Sequence, residues 1–145
     1  MTIGLSMGGF GALLYGGLLR ADFTYAIVPQ TDLRTEYLDR IGDARWPRKL
    51  AELNSFGYDF LDIERMFQSD RRPRRATIIC AAENDDPSLK LDIQHARRIA
   101  HFAEVNIEHI ATESQHGLFG LDLARRGIIS RAVSDFVNLV DQLDE

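Results

Sequence analysis

The sequence predicts an α/β fold in which a mostly parallel sheet is flanked by helices and carries a helical insertion between strands. Two observations favour this class: short apolar runs alternate with longer segments of helical periodicity, and a glycine-rich turn joins the first strand to the first helix. The 145 residues are 45% hydrophobic and 27% charged, an ordinary balance for one globular domain. We therefore expect a single domain over residues 1–145.

Short apolar runs predict the strands of this sheet. They are Thr2–Leu5, Tyr25–Val28, Ala76–Ala82 and Val105–Ile110. Helices are expected where apolar residues recur every three or four positions, namely over Gly8–Leu19, Asp92–Ala103 and Leu121–Leu143. Strands that alternate with helices favour parallel pairing, with helices on both faces of the sheet.

Residues 34–75 interrupt this alternation and are rich in aromatic and charged side chains. A long segment between two strands of an α/β chain is usually a cap, a lid or a binding insertion. A surface helical hairpin without ligand contact is the alternative. We expect a helical cap or insertion here.

Composition excludes several classes of protein. A net charge of −5 argues against a nucleic-acid surface, and no apolar run is long enough for a membrane span. Cys80 is the single cysteine, so no intrachain disulfide can form, which fits a cytoplasmic location. The apolar surroundings of Cys80 predict that it is a small buried hydrophobic residue.

The histidines and acids show no metal-ligand spacing, and neither a dinucleotide fingerprint nor a P-loop is present. We expect neither a metal nor a cofactor.

The strongest signal is the G-x-S-x-G pattern Gly4-Leu5-Ser6-Met7-Gly8, which lies between the first strand and the first helix. A serine on such a turn is held in a strained conformation that lifts its hydroxyl above the sheet. The residues two before and two after the serine crowd each other, which explains Gly4 and Gly8. The backbone N–H of Met7 is the natural donor to an oxyanion.

A nucleophilic serine needs a base, and the chain offers four histidines. His95 and His101 fall in a predicted helix, where a surface or packing role is expected, and His109 lies inside the last strand. His116 differs because it follows that strand in a polar loop and precedes Gly117, which allows a sharp turn. We therefore predict His116 as the base.

With these features the chain resembles the α/β-hydrolase superfamily, in particular esterase-like members that carry the elbow Gly-Leu-Ser-Met-Gly-Gly-Phe-Gly. The resemblance covers essentially all 145 residues and matches the fold from its fifth strand to its last helix. It implies a serine hydrolase that cleaves a carboxylic ester, acyl or acetyl, through an acyl-enzyme. Ser6 is then the nucleophile and His116 the base.

The resemblance also implies an acid at the end of the strand before the histidine. Asp85 lies three residues beyond Ala82, where this family places its acid, and is preferred to Asp86. The other aspartate would cap or turn the loop. Asp32, which follows the second strand, is a third candidate, because some members of the fold place the acid there.

Members of this fold carry about four strands before the elbow, whereas this chain has only Thr2–Leu5 ahead of Ser6. We therefore expect an incomplete domain whose sheet is completed by a missing N-terminal half or a partner chain. Little or no hydrolase activity is expected of the 145 residues alone. The expected substrate is a small-molecule or glycan acyl ester. An acyltransferase that uses the same residues, or a non-catalytic module of this fold, is the alternative.

Overall fold

Four strands form one parallel sheet in chain order: β1 (Thr2–Leu5), β2 (Thr24–Ile27), β3 (Ala76–Ala81) and β4 (Val105–Ile110). The structure is a computed structural model, and it describes residues 1–82 and 84–143. Each strand lies within one residue of its predicted bounds. The predicted α/β class is confirmed.

Helices connect and follow these strands. They are α1 (Met7–Leu18), α2 (Thr35–Ile41), α3 (Pro47–Ser55), a 3-10 turn (Asp59–Leu61), α4 (Ile63–Gln68), α5 (Pro87–Ile99), α6 (His116–Arg125) and α7 (Ile128–Leu143). The single helix expected over Leu121–Leu143 is instead the end of α6 followed by α7. Gly127 separates the two helices with a φ of 70°, a left-handed conformation that glycine adopts without steric cost.

Helix α5 begins five residues earlier than predicted. Asp86 stands at its N-cap, where the carboxylate accepts hydrogen bonds from the backbone N–H groups of Ser88 (2.7 Å) and Leu89 (3.2 Å). Pro87 occupies the first helical position, where its missing N–H is not needed. Because of these capping residues, the helix begins before the segment in which its apolar residues recur at helical spacing.

Both faces of the sheet are covered, because successive side chains of a strand point to opposite sides. On one face Ala26, Ile78 and Cys80 join a core that includes buried residues of α1 and α5. On the other face Ile27, Ile79 and Ala81 pack against Phe119 and Leu123 of α6, with α7 beside them.

Residues 34–75, called the insertion below, contain α2, α3, the 3-10 turn and α4. The insertion shares the first core, to which it contributes Tyr37, Leu38, Leu50 and Phe67. An antiparallel bridge joins Asp32, which lies just before the insertion, to Asp62 within it. Several of its aromatic residues are nevertheless exposed: Trp46, Phe56, Tyr58 and Phe60. The insertion is therefore packed onto the domain and exposes an aromatic surface.

Among the described residues, none of the helices is both long and apolar enough to cross a membrane. Among the strands that the structure describes, β1 has one neighbour, namely β2. Its apolar residues Ile3 and Leu5 are each 43% exposed.

Candidate active site

Ser6 occupies the turn between β1 and α1 in a conformation that few side chains adopt. Its φ of 56° and ψ of −119° lie outside the helical and extended regions, and such strain persists only where the surroundings enforce it. A Cβ added at Gly4 would stand 1.9 Å from the carbonyl oxygen of Gly8, so this position admits only glycine. The crowding predicted at Gly8 itself is not found, because a Cβ there would meet no described atom outside its own helix within 4 Å.

The side chains of Ser6 and His116 meet although they are far apart in sequence. Ser6 Oγ lies 3.0 Å from His116 Nε2. His116 was expected in a loop but is the first residue of α6, with Gln115 at the N-cap. Asp86 holds the main chain at this point, because its Oδ2 accepts a hydrogen bond of 3.1 Å from the His116 N–H. The imidazole is thus fixed at a helix start beside the serine.

The carboxylate beside the His116 ring belongs to Asp92, on the second turn of α5. Asp92 Oδ2 lies 2.7 Å from His116 Nδ1. The Asp92 side chain is fully buried, whereas 19% of the His116 side chain is exposed. Because a carboxylate oxygen accepts, Nδ1 carries the hydrogen and Nε2 presents its lone pair to the Ser6 hydroxyl. The three side chains form one hydrogen-bonded series from hydroxyl to imidazole to carboxylate.

The acids named from the sequence lie elsewhere, and the predicted position of the acid is corrected accordingly. Asp85 is fully exposed and faces Lys90, with 3.6 Å between Asp85 Oδ1 and Lys90 Nζ. Asp86 caps α5 and binds the main chain of His116 rather than its ring. Asp32 is buried in ion pairs with two arginines. None of these three is the partner of the imidazole.

Asp92 is not predicted as the acid, because the predicted helix begins at Asp92 itself. When the helix starts at Pro87, Asp92 falls on the buried stripe that also contains Leu89, Ala96 and Ile99. A charged residue in the apolar stripe of an amphipathic helix is rarely buried without a partner. That anomaly is the sequence signal by which Asp92 could have been found.

The backbone N–H of Met7, the predicted oxyanion donor, lies at the start of α1. Met7 is the first residue of α1, so its N–H has no acceptor within the helix. It directly follows Ser6, and the N-terminal end of a helix carries partial positive charge. A backbone donor at this position can stabilise an oxyanion formed when Ser6 attacks a carbonyl.

Beyond Asp92 the polar contacts continue into the insertion. Arg45 Nη1 lies 2.7 Å from Asp92 Oδ1, and Arg45 is bound in turn by Asp43. His95 lies fully buried on the other side of Asp43, with 3.1 Å between His95 Nε2 and Asp43 Oδ2. Its Nδ1 accepts a hydrogen bond of 3.0 Å from the N–H of Thr31, so Nε2 is the donor to Asp43. His95 therefore has a packing and hydrogen-bonding role.

These contacts set the ionisation of the groups around the site. Burial alone would raise the pKa of Asp43, but hydrogen bonds from Arg45 and His95 outweigh it and hold that pKa well below its usual range. Burial would lower the pKa of Arg45, but the carboxylates of Asp43 and Asp92 outweigh it and raise that pKa further. Burial would raise the pKa of Asp86, but backbone N–H donors outweigh it and lower that pKa.

The other titratable residues singled out from the sequence stand apart from Ser6. His101 is largely exposed, 4.0 Å from a carboxylate oxygen of Glu64. His109 lies in β4, with its Nδ1 3.5 Å from the carbonyl oxygen of Ala81. Cys80 is fully buried, and burial raises the pKa of its thiol to about 12, which fits the predicted packing role.

Comparison with known proteins adds no family assignment: no family model matches this chain, and no curated protein matches it. Over residues 1–82 and 84–143, no group of three or more His, Cys, Asp or Glu side chains is arranged to hold a metal ion.

Proposed function

We propose that this chain is a serine hydrolase of the α/β-hydrolase type that cleaves a carboxylic ester with an acyl or acetyl group. The observation that carries the proposal is the series from Ser6 Oγ to His116 (3.0 Å) and from His116 to Asp92 (2.7 Å). The strained Ser6 backbone supports it, because a nucleophile elbow exposes its hydroxyl in this way. Ser6 also follows the carboxyl end of β1, the edge at which open parallel sheets bind ligands.

Ester cleavage by this arrangement takes two steps. Ser6 Oγ attacks the acyl carbonyl while its proton passes to His116 Nε2, and the departing alcohol takes that proton, which leaves an acyl ester on Ser6. Water then attacks this ester and gives a proton to His116, and the carboxylic acid leaves as Ser6 regains its proton. Asp92 keeps Nδ1 protonated throughout, and the N–H of Met7 donates to the oxyanion in both steps.

A fluorophosphonate probe tests the proposal, because it phosphonylates an activated serine with loss of fluoride. We expect the purified chain to be labelled at Ser6, as located by mass spectrometry of its peptides. Ser6→Ala should abolish labelling. Ser130→Ala, which removes an exposed hydroxyl on α7, is the matched control and should be labelled at the wild-type rate.

Two outcomes would contradict the proposal. A wild-type chain that is folded by circular dichroism but unlabelled would favour the alternative of a non-catalytic module. Equal labelling of wild type and Ser6→Ala would mean that the reactive group is another residue. Hydrolysis of a small chromogenic acetate ester, followed in parallel, measures turnover. Little or no turnover is expected of these 145 residues alone, so labelling of Ser6 rather than ester turnover decides the proposal.

A further inference from the structure

Arg45 connects the insertion to the candidate active site. Its Nη1 lies 2.7 Å from Asp92 Oδ1, while Asp92 Oδ2 lies 2.7 Å from His116 Nδ1. Both oxygens of the Asp92 carboxylate are thus engaged, one by the imidazole and one by the insertion. Asp92 is fully buried and the Arg45 side chain is 16% exposed, so water competes little for these contacts.

Asp43 fixes the direction of the Arg45 guanidinium. Asp43 Oδ1 accepts from the Arg45 backbone N–H (3.1 Å) and Nε (2.8 Å), and Oδ2 accepts from Nη2 (2.6 Å). This two-pronged contact leaves Nη1 free to reach Asp92. His95 and Gln30 bind Asp43 Oδ2 at 3.1 and 3.2 Å. The guanidinium is therefore oriented by a buried support that is independent of the serine.

We propose that Arg45 is a positioning residue for the Ser6 reaction: it holds Asp92 Oδ1, so that Oδ2 faces His116 Nδ1. The inference rests on the proposed hydrolase function, and it gives the insertion a part in setting the reactivity of the serine. The terminal torsion of an aspartate is broad, so a second contact is needed to fix its carboxylate plane. Misplacement of a catalytic group by about 1 Å costs on the order of 100-fold in rate.

Arg45→Ala tests this role through the rate of Ser6 phosphonylation. We expect the rate constant to fall on the order of 10- to 100-fold, because one oxygen of Asp92 loses its partner. Arg45→Lys keeps the charge but cannot bind Asp43 through two N–H groups and also reach Asp92, so it should recover only part of the rate. Guanidinium at a non-denaturing concentration should accelerate the Ala variant, whereas the same concentration of sodium chloride should not.

The imidazole proton gives a second measurement that needs no reactive serine. A histidine Nδ1–H bonded to a carboxylate gives a resolved downfield resonance in proton NMR spectra, and loss of this signal in Asp92→Asn would assign it to His116. We expect the resonance in the wild-type chain and its shift or broadening in Arg45→Ala.

Arg34→Ala is the matched control for both measurements. Arg34 belongs to the same insertion and binds Asp32 in the same geometry, but its other ion-pair partner is Asp62 rather than Asp92. We expect this variant to keep the labelling rate of Ser6 and the downfield resonance.

The outcomes separate the two proposals. An unlabelled, folded wild-type chain would contradict the hydrolase function, and the role of Arg45 would fail with it. Normal labelling together with an unchanged rate in Arg45→Ala would overturn the role of Arg45 alone. An equal loss of rate in Arg34→Ala would do the same, because the effect would then reflect the stability of the insertion. If Arg45→Ala does not fold, a wild-type rate in Arg45→Lys would overturn the inference.

Discussion

Two clusters of charge attach the insertion to α5, and both are built on the local pattern Asp-x-Arg. In the first clamp, Asp32–Arg34, the arginine N–H and Nε lie 2.9 and 3.0 Å from Oδ1, and Nη2 lies 2.6 Å from Oδ2. In the second clamp, Asp43–Arg45, the corresponding distances are 3.1, 2.8 and 2.6 Å. The local geometry of the two clamps is the same.

The clamps differ in what α5 brings to them. At the first clamp α5 supplies a cation, since Arg98 Nη1 lies 2.9 Å from Asp32 Oδ2. At the second clamp it supplies an anion, because Asp92 binds Arg45. The first cluster therefore ends in contacts that hold the chain together, and the second ends at the imidazole of His116. The Asp-x-Arg motif orients the guanidinium of its arginine. The role of that arginine depends on the residue that the guanidinium contacts across the fold.

The largest effect should come from the carboxylates that the two arginines reach. Asp92→Asn should lower the labelling rate of Ser6 on the order of 1,000- to 10,000-fold, because an amide favours the wrong imidazole tautomer. Asp62→Asn, at the first clamp, should leave that rate unchanged. It should lower the free energy of unfolding by roughly 1–2 kcal/mol, because Arg34 and Arg98 lose a charged partner while the asparagine can still cap α4. Probe labelling and urea denaturation of both variants measure this contrast. A similar loss of labelling in Asp92→Asn and Asp62→Asn would contradict the different roles of the two clamps.

An intermediate effect, on the free energy of unfolding, is expected when Asp43 of the second clamp is replaced. The pKa of Asp43 in the folded chain lies below its unfolded value of about 3.9. Its carboxylate therefore stabilises the fold fully above that pH, and this contribution is lost as the pH falls through the folded-state pKa. Asp43→Asn should lower the free energy of unfolding by about 2 kcal/mol at pH 7, because Arg45 keeps Asp92 as a partner but loses its charged hydrogen bonds to Asp43.

The pH dependence distinguishes this effect from a general packing defect. Urea denaturation of wild type and Asp43→Asn should show a difference in the free energy of unfolding that narrows below about pH 4. Asp85→Asn, which changes an exposed carboxylate, is the control and should match wild type at pH 7. If the difference in the free energy of unfolding stayed constant down to the lowest pH, ionisation of Asp43 would contribute nothing to stability.

The smallest effect should appear at Cys80, a buried thiol of β3 whose alkylation measures how much stability the fold loses when either clamp is broken. Because burial raises the pKa of this thiol to about 12, iodoacetamide should not alkylate it in the folded wild-type chain at pH 8. Arg34→Ala and Arg45→Ala should increase alkylation only in proportion to the stability that each loses. Mass spectrometry follows the reaction. Native alkylation as fast as in the urea-unfolded chain would contradict the buried position.

Much of the fold and part of the candidate site could be predicted because the signals are local. Apolar runs identify strands within one residue, and the spacing around Ser6 encodes a tight turn. The prediction of His116 rests on its place after the last strand, and His116 does lie beside Ser6. The prediction of Asp85 as the acid is wrong because it rests on a family spacing and starts α5 at Asp92 rather than at Pro87.

The sequence alone therefore determined the strands, the tight turn at Ser6 and a histidine after the last strand, because propensity, periodicity and steric crowding act over a few residues. Only the tertiary structure decided which carboxylate faces the imidazole and which arginine supports it. Asp92 and Arg45 are 47 residues apart, and they meet because both are buried at one junction of α5 with the insertion. Buried charges need partners, and packing rather than sequence distance determines which partner is within reach.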